Sequence, residues 1–189
     1  MLDQSFSLKN LERLISYTDF RKKKYFKEKA DIKTTLNVVV NEINGSGYGF
    51  KTLSKTNKNG NLIYKPSSIA DEFALRKLND NLKRLYKFKQ SNRYLIIEQV
   101  ISLLFEEVPM SIVKLDILKF YESIDKNRII KKIIDDPLLS YESKLVLEKF
   151  FSLPELKITT GLPRGVNIAA ALSEILMRDF DKQLAQLAG

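Results

Sequence analysis

Two segments of the sequence carry residue types and spacings that suit chemistry. The first is a β-branched, apolar run at residues 111–117, where strand alternation puts Lys114 and Asp116 on one face. An acid at the carboxyl end of a buried strand suits metal binding or catalysis, because a carboxylate among apolar groups needs a cation or donors beside it. A structural ion pair between Lys114 and Asp116 explains the pattern equally well, so both interpretations stay open.

The second segment begins as a Gly-Leu-Pro-Arg-Gly turn at residues 161–165 and continues as a long helix through residue 177 and beyond. Its small residues, Gly165 and the alanines at 169–171, leave the first helical turns nearly bare. A bare surface allows another surface, such as a base pair, to approach closely. Tight packing of the helix inside the protein also selects glycine and alanine, and it is the alternative interpretation.

The composition restricts the chemistry. The chain has 189 residues, of which 44% are hydrophobic and 29% charged, as expected for a folded domain with its own core. It contains no cysteine and no histidine. Thiolate zinc sites, disulfides, histidine bases and Ser-His-Asp triads are therefore excluded, whereas a hard metal ion held by oxygen ligands is not.

The net charge of +9 is unevenly distributed. Residues 1–93 hold 20 basic and nine acidic side chains, a net charge of +11, and residues 94–189 have a net charge of −2. This asymmetry predicts a basic, helical region at 1–93 that binds a polyanion and a different region at 94–189. The candidate phosphate contacts, which a solvated surface would also explain, are Arg21, Lys22, Lys23, Lys24, Arg76 and Arg84.

Local patterns predict the elements that position these residues. Helical spacing predicts helices over 5–17 and 32–43, and a capping box at 68–71 and Ser91 each open another. Strands at 50–55 and 61–65 form a hairpin (50–65) through a turn at 56–60 that contains Asn-Gly. The glycine-rich stretch 45–49 lacks the Gly-Lys-Ser/Thr ending of a phosphate-binding loop.

Taken in order, the two chemical segments resemble the polymerase motifs of reverse transcriptases. Residues 116–124 (Asp-Ile-Leu-Lys-Phe-Tyr-Glu-Ser-Ile) are similar to the first palm motif, Asp-x-x-x-Phe-Phe/Tyr-x-Ser-Ile, and residues 161–165 to the second, Gly-Leu-Pro-Gln/Arg-Gly. The stretch 76–93 is similar, less specifically, to the fingers helices. The resemblance covers roughly residues 50–189 and implies an α+β fold: helix-rich fingers with a hairpin, then a partial polymerase palm of two or three strands.

The resemblance implies a role for each matching residue. Asp116, with the backbone carbonyl of Ile117, would bind two catalytic Mg²⁺ ions, and Tyr121 would be the steric gate that rejects a 2′-hydroxyl group. Arg164 and Gly165 would lie beneath the incoming nucleotide. Among the hairpin lysines, Lys65 is the residue expected to reach the triphosphate. The partners would be dNTP and an RNA or DNA template and primer, without a membrane.

Two features depart from the reverse transcriptase pattern. The third palm motif, Tyr/Phe-x-Asp-Asp, should follow the second, and residues 166–189 do not contain it; Asp135 and Asp136 precede the second motif and are expected to be a solvated pair. The sequence is therefore expected to be a fragment that is inactive alone. Ala169 and Ala170 replace the Ser-Pro that is usual in group II intron and retron enzymes. Arg164 and the run at 172–176 (Leu-Ser-Glu-Ile-Leu) are instead similar to the bacterial abortive-infection and phage-defence reverse transcriptases, which implies an enzyme of the cytoplasm.

A non-catalytic module that binds nucleic acid through the basic half is the alternative function. In that case Asp116 is structural. An RNA-dependent RNA polymerase is disfavoured because Tyr121 is bulky.

Overall fold

A computed structural model describes residues 2–88, 93–106, 109 and 116–188. Within these ranges the chain is mostly helical and contains one two-stranded antiparallel sheet, so its secondary structure is of the α+β class. The elements are α1 (Leu8–Glu12), α2 (Tyr17–Arg21), α3 (Asp31–Asn44), β1 (Ser54–Lys58), β2 (Asn61–Lys65), α4 (Ile69–Tyr86), α5 (Arg93–Phe105), α6 (Phe120–Ser123), α7 (Lys126–Ile134), α8 (Tyr141–Phe151), α9 (Pro154–Lys157) and α10 (Asn167–Ala188).

Helix α4 is the centre of the packed core. The Ser68 hydroxyl oxygen accepts a hydrogen bond from the Asp71 amide at 3.1 Å, which confirms the predicted start of this helix. α4 packs against α1 and α3 on the N-terminal side and against α8 and α10 from beyond residue 93. Its buried apolar side chains are Ala70, Phe73, Ala74, Leu75, Leu78 and Leu82. The two halves that differ in charge therefore contribute to one core.

The helix predicted over residues 5–17 is wrong in its extent, because the chain forms two short helices there. Ser16 begins the second, and its amide donates a hydrogen bond to the Asp19 carboxylate at 2.7 Å. The Leu14 carbonyl, which the break leaves without a helical partner, accepts a hydrogen bond from Arg76 at 3.1 Å. A Ser-x-x-Asp capping pattern thus outweighs the apolar periodicity that runs through it.

The hairpin forms as predicted, but its first strand is displaced. β1 covers Ser54–Lys58 rather than 50–55, and the turn consists of Asn59 and Gly60 alone. Both turn residues have positive φ, 51° and 77°, as a two-residue type I′ turn requires. Because this turn joins the strands directly, it brings residues 56–58 into the ladder although every side chain of β1 is exposed and none is strongly apolar.

The alanines that start α10 are packed inside the protein. Ala169 and Ala171 are buried, and α10 lies against α4. The tight-packing interpretation is therefore the right one for these two residues. Further along α10 the side chains of Phe180, Leu184 and Leu187 are exposed.

Helix α5 differs from the packed helices because its described side chains are exposed and largely apolar, from Tyr94 to Phe105. Ser91, its predicted cap, lies outside the described residues, as do Lys114 and most of the strand predicted at 111–117. Asp116 and Ile117, which are described, are not in a strand. None of the helices that the structure describes combines the length and apolar character needed to cross a bilayer.

Candidate functional site

The structure brings the chain that follows Asp116 into direct contact with the Gly161–Gly165 segment. The Leu162 amide donates to the Tyr121 carbonyl oxygen at 2.8 Å, and the Lys126 amide donates to Thr160 at 3.3 Å. A Cβ atom on Gly161 would lie 2.5 Å from the Cα atom of Glu122, so this approach requires glycine. The two motif-like segments, about 45 residues apart in sequence, form one surface.

An ion pair closes that surface. The Arg164 guanidinium contacts both carboxylate oxygens of Glu122, with Nε–Oε1 at 3.2 Å and Nη2–Oε2 at 3.1 Å. The same guanidinium lies 5.6 Å from the centroid of the Tyr121 ring. The hydrogen bonds from Arg164 lower the pKa of Glu122, and the hydrogen bond to Glu122 raises the pKa of Arg164. Both groups are therefore charged at neutral pH.

Strand β2 lies across the other end of the Gly161–Gly165 segment. The Tyr64 amide donates to the Arg164 carbonyl oxygen at 2.8 Å. Gly165 has a φ of 95°, and a Cβ there would lie 2.4 Å from the Ile63 Cγ2 atom and 2.9 Å from the Tyr64 carbonyl oxygen. Gly165 is thus required both by its backbone conformation and by the close approach of the hairpin.

The segment separates two cavities, each named here for one lining residue. The Arg164 cavity, about 360 Å³, is also lined by Leu62, Tyr64 and Glu122. The Lys65 cavity, about 380 Å³, is also lined by Lys23, Tyr25, Glu72, Gly165 and Asn167. Lys65 and Arg164, which the sequence predicts to bind one nucleotide, therefore line different cavities.

The register of the hairpin puts another lysine on the side of the Arg164 cavity. Lys55 is paired with Tyr64, and its Nζ atom lies 6.0 Å from the centroid of the Tyr64 ring. Lys65 is paired with Ser54, one position further along the ladder, where side chains point to the opposite face. Lys51 is not on the hairpin strands, and its ammonium pairs with Glu42 at 3.5 Å.

Asp116 and Ile117 are both exposed, and Ile117 lines a groove with Phe120 and α10. Oxygen ligands suit Mg²⁺, so the Asp116 carboxylate and the Ile117 carbonyl are of the right type. Within the described ranges, no group of three or more acidic side chains could hold a metal ion. Under the reverse transcriptase resemblance, Asp116 and Ile117 would supply part of a coordination sphere.

Sequence reasoning did not identify Glu174, which lines the same groove as Ile117. Burial raises the pKa of Glu174, and the nearby Asp181 carboxylate raises it further. On sequence alone an acid within an amphipathic helix is typical of a solvent-exposed face.

Asp135 and Asp136 do not behave as a matched solvated pair. Asp135 is exposed, whereas Asp136 accepts a hydrogen bond from the Tyr86 hydroxyl at 2.5 Å and another from the Leu138 amide at 2.8 Å. Asp136 therefore has a structural role in the turn after α7.

The basic run at 21–27 places its lysines outside and its phenylalanine inside. Arg21, Lys22 and Lys24 are exposed, while Phe26 is buried. The Arg21 guanidinium lies 5.5 Å from the centroid of the exposed Tyr17 ring. Exposed cations beside an exposed aromatic ring suit a nucleic-acid backbone and its bases. Tyr17 was missed because the predicted helix 5–17 gave it no distinct position.

Lys23 differs from its neighbours in the basic run, because its Nζ atom pairs with Glu72 at 2.7 Å. Arg84, the other predicted contact on α4, is partly exposed, with its Nη1 atom 3.6 Å from the Asp80 carboxylate. Both side chains already have an acidic partner within the protein.

Arg76 has a structural role instead of the predicted contact with nucleic acid. Its guanidinium donates to both carboxylate oxygens of Asp19, at 2.6 and 2.7 Å, and to Glu72 at 3.0 Å. Asp19 is fully buried and Arg76 nearly so. Burial opposes the charge on Asp19, but the hydrogen bonds from Arg76 and Ser16 outweigh burial and lower its pKa. We therefore exclude Arg76 from the candidate nucleic-acid surface.

Lys126 is a third residue, after Glu174 and Tyr17, that sequence reasoning missed. Its side chain is buried, and its ammonium donates to the carbonyl oxygens of Leu156 and Thr159, immediately before the Gly161–Gly165 segment. Burial lowers the pKa of Lys126. A lysine at the first position of a helix normally extends into solvent, so no local pattern distinguishes it.

Comparisons with known proteins identify no relative: no protein-family model, no curated protein and no solved structure matches this chain.

Proposed function

We propose that this chain is the fingers and partial palm of a reverse transcriptase, an RNA-directed DNA polymerase of bacterial antiviral defence that acts in the cytoplasm. The observation that carries the proposal is the contact between the two motif-like segments. Tyr121 and Glu122 of the first lie against Gly161 and Arg164 of the second, through a backbone hydrogen bond and a two-point ion pair. The order of the motifs in sequence is thereby matched by proximity in space.

The proposed reaction adds a dNTP to a primer 3′-hydroxyl. When bound, two Mg²⁺ ions would activate that oxygen and stabilise the leaving pyrophosphate. Asp116 and the Ile117 carbonyl would supply oxygen ligands, with further carboxylates from the Asp-Asp motif that the resemblance implies. Phosphoryl transfer needs positioning and charge neutralisation rather than a covalent intermediate, so a chain without histidine or cysteine suits it.

The remaining residues would position the nucleotide. The Tyr121 ring would lie beneath the sugar, and the Arg164–Gly165 backbone, fixed by Tyr64, would form the floor. Lys65 is the residue that the resemblance implies for contact with the triphosphate. Lys55 is the hairpin lysine that lies on the same side as Arg164. The exposed Arg21, Lys22 and Lys24 would contact template or primer phosphates.

A non-catalytic nucleic-acid-binding module is the second candidate. It is favoured by the exposed basic run and by the +11 charge of residues 1–93, because phosphate contacts require cations and no further chemistry. Asp116 distinguishes the candidates, since a binding module does not need its carboxylate.

The test uses the natural gene product that carries this sequence, with a primed RNA template, dNTPs and Mg²⁺. We expect DNA synthesis that Asp116→Asn abolishes and Asp135→Asn preserves, because Asp135 is also an exposed acid but belongs to neither segment. Synthesis by Asp116→Asn at the parent rate would overturn the proposal. Nucleic-acid binding without synthesis by the parent protein would favour the binding module.

A further inference from the structure

We propose that Glu122 determines sugar selectivity by holding the Arg164 guanidinium against the Tyr121 ring. This inference rests on the proposed function, in which Tyr121 is the steric gate. The motif resemblance assigns no role to Glu122, which occupies a variable position of the first motif.

The geometry leaves the guanidinium little freedom. The Arg164 carbonyl oxygen accepts a hydrogen bond from the Tyr64 amide at 2.8 Å, which restrains the backbone at this residue. The side chain then depends on Glu122, which binds Nε and Nη2 with separate oxygens at 3.2 and 3.1 Å. Two parallel hydrogen bonds define the plane of the guanidinium as well as its position.

The orientation of the Arg164 guanidinium affects the position of the Tyr121 ring, which is the proposed steric gate. The Arg164 Cζ atom lies 5.6 Å from the Tyr121 ring centroid, and the Phe120 ring packs 5.3 Å from the same ring at a steep angle. The Tyr121 backbone is anchored by Leu162 at 2.8 Å. A ring confined in this way excludes a 2′-hydroxyl by position, whereas a ring free to turn would admit it. Glu122 thus acts on the gate through Arg164 and is a positioning residue.

Three variants test the pair as a unit: Glu122→Gln, Arg164→Gln and the double variant. The measurement is the ratio of kcat/KM for dNTP to that for the matching rNTP, in the natural gene product. We expect each single variant to lower this ratio about two- to fivefold, the range for loss of a partly exposed ion pair. The double variant should match the singles rather than multiply them, because each single change already breaks the pair.

Two controls accompany these variants. Glu148→Gln removes an exposed acid from α8 and should leave the ratio unchanged, while Tyr121→Val should lower it by more than either single variant. An unchanged ratio in Glu122→Gln together with a lowered ratio in Tyr121→Val would overturn the role of Glu122 and leave the polymerase proposal standing. Absence of Asp116-dependent synthesis would overturn the proposed function and this inference with it.

A spectroscopic readout tests the pair without activity. The Arg164 hydrogen bonds, with Lys119 nearby, lower the pKa of Glu122, so Arg164→Gln should raise it. A carboxyl pKa that is lower in the folded than in the unfolded protein stabilises the fold at pH values above the unfolded-state pKa. This stabilisation is lost as the pH falls through the folded-state pKa. NMR titration of the Glu122 carboxyl carbon measures its pKa in the parent protein and in the Arg164→Gln variant. An identical pKa in the parent protein and Arg164→Gln would contradict the pairing on which the inference depends.

Discussion

The Gly161–Gly165 segment and the Asp116–Ile117 pair are held very differently, although both belong to the proposed active site. The former is fixed by the hairpin through Tyr64, by Tyr121 and by the Glu122–Arg164 ion pair. Asp116 and Ile117 are exposed in irregular chain before α6. Under the proposed function, the chain itself would therefore preorganise the surface for the nucleotide, whereas the Asp116 carboxylate would be positioned by the metal ion that it binds.

The largest effect is expected at the less constrained of these two places. Asp116→Asn removes the charge proposed to bind metal, and we expect a loss of about 4 kcal/mol of transition-state stabilisation, which would lower the rate of DNA synthesis about 10³-fold. The free energy of unfolding should stay unchanged, because Asp116 is exposed. Single-turnover primer extension and thermal unfolding measure the two quantities. A large loss of stability would show that Asp116 is a structural residue.

At the Gly161–Gly165 segment we expect substitutions to change the free energy of unfolding. Gly161→Ala and Gly165→Ala should each lower the free energy of unfolding by about 1–3 kcal/mol, because the new Cβ meets backbone atoms or Ile63. Gly47→Ala is the matched control, since its Cβ would meet nothing within 4 Å. Thermal denaturation of the three variants measures the difference, and equal melting temperatures would contradict the close packing of the segment.

The two faces of the hairpin lie on the sides of different cavities, the Arg164 cavity and the Lys65 cavity, and lysine substitutions can distinguish them. Lys55→Ala should raise the KM for dNTP about two- to fivefold, the loss expected for one solvent-exposed charge, and Lys65→Ala should raise it less. Lys58→Ala, at the tip beside the turn, serves as the control. Steady-state kinetics at saturating primer–template give these values. A larger effect of Lys65→Ala would place the triphosphate in the Lys65 cavity.

The smallest effect is expected at the basic run, which lies outside both segments. Lys22→Ala and Lys24→Ala should each weaken nucleic-acid binding and reduce the slope of log K against log salt by about 0.7–0.9 per lost phosphate contact. Salt titrations of fluorescence anisotropy report the slope. Lys9→Ala, a basic residue of α1, is the control. Slopes that do not differ from the parent would remove Lys22 and Lys24 from the nucleic-acid surface.

Local sequence signals predicted several elements correctly because they act within a few residues. Ser68 starts α4, and Asn59-Gly60 forms the turn of the hairpin. In each case a side chain or a permissive backbone satisfies nearby groups, whatever the rest of the chain does. The helix before Gly45 and the long helix after Gly165 followed from their spacing in the same way.

The roles of the charged residues depend on contacts between distant parts of the chain, which the sequence alone does not show. No sequence pattern indicated that Arg76 pairs with the buried Asp19, 57 positions away, or that Lys126 donates to carbonyl oxygens about 30 positions further along the chain. Sequence patterns also did not show that Lys55 and Lys65 lie on different faces of the hairpin, because the register depends on where β1 starts. Basic side chains look alike in sequence, and whether each meets water, a carboxylate or a carbonyl oxygen is decided by packing.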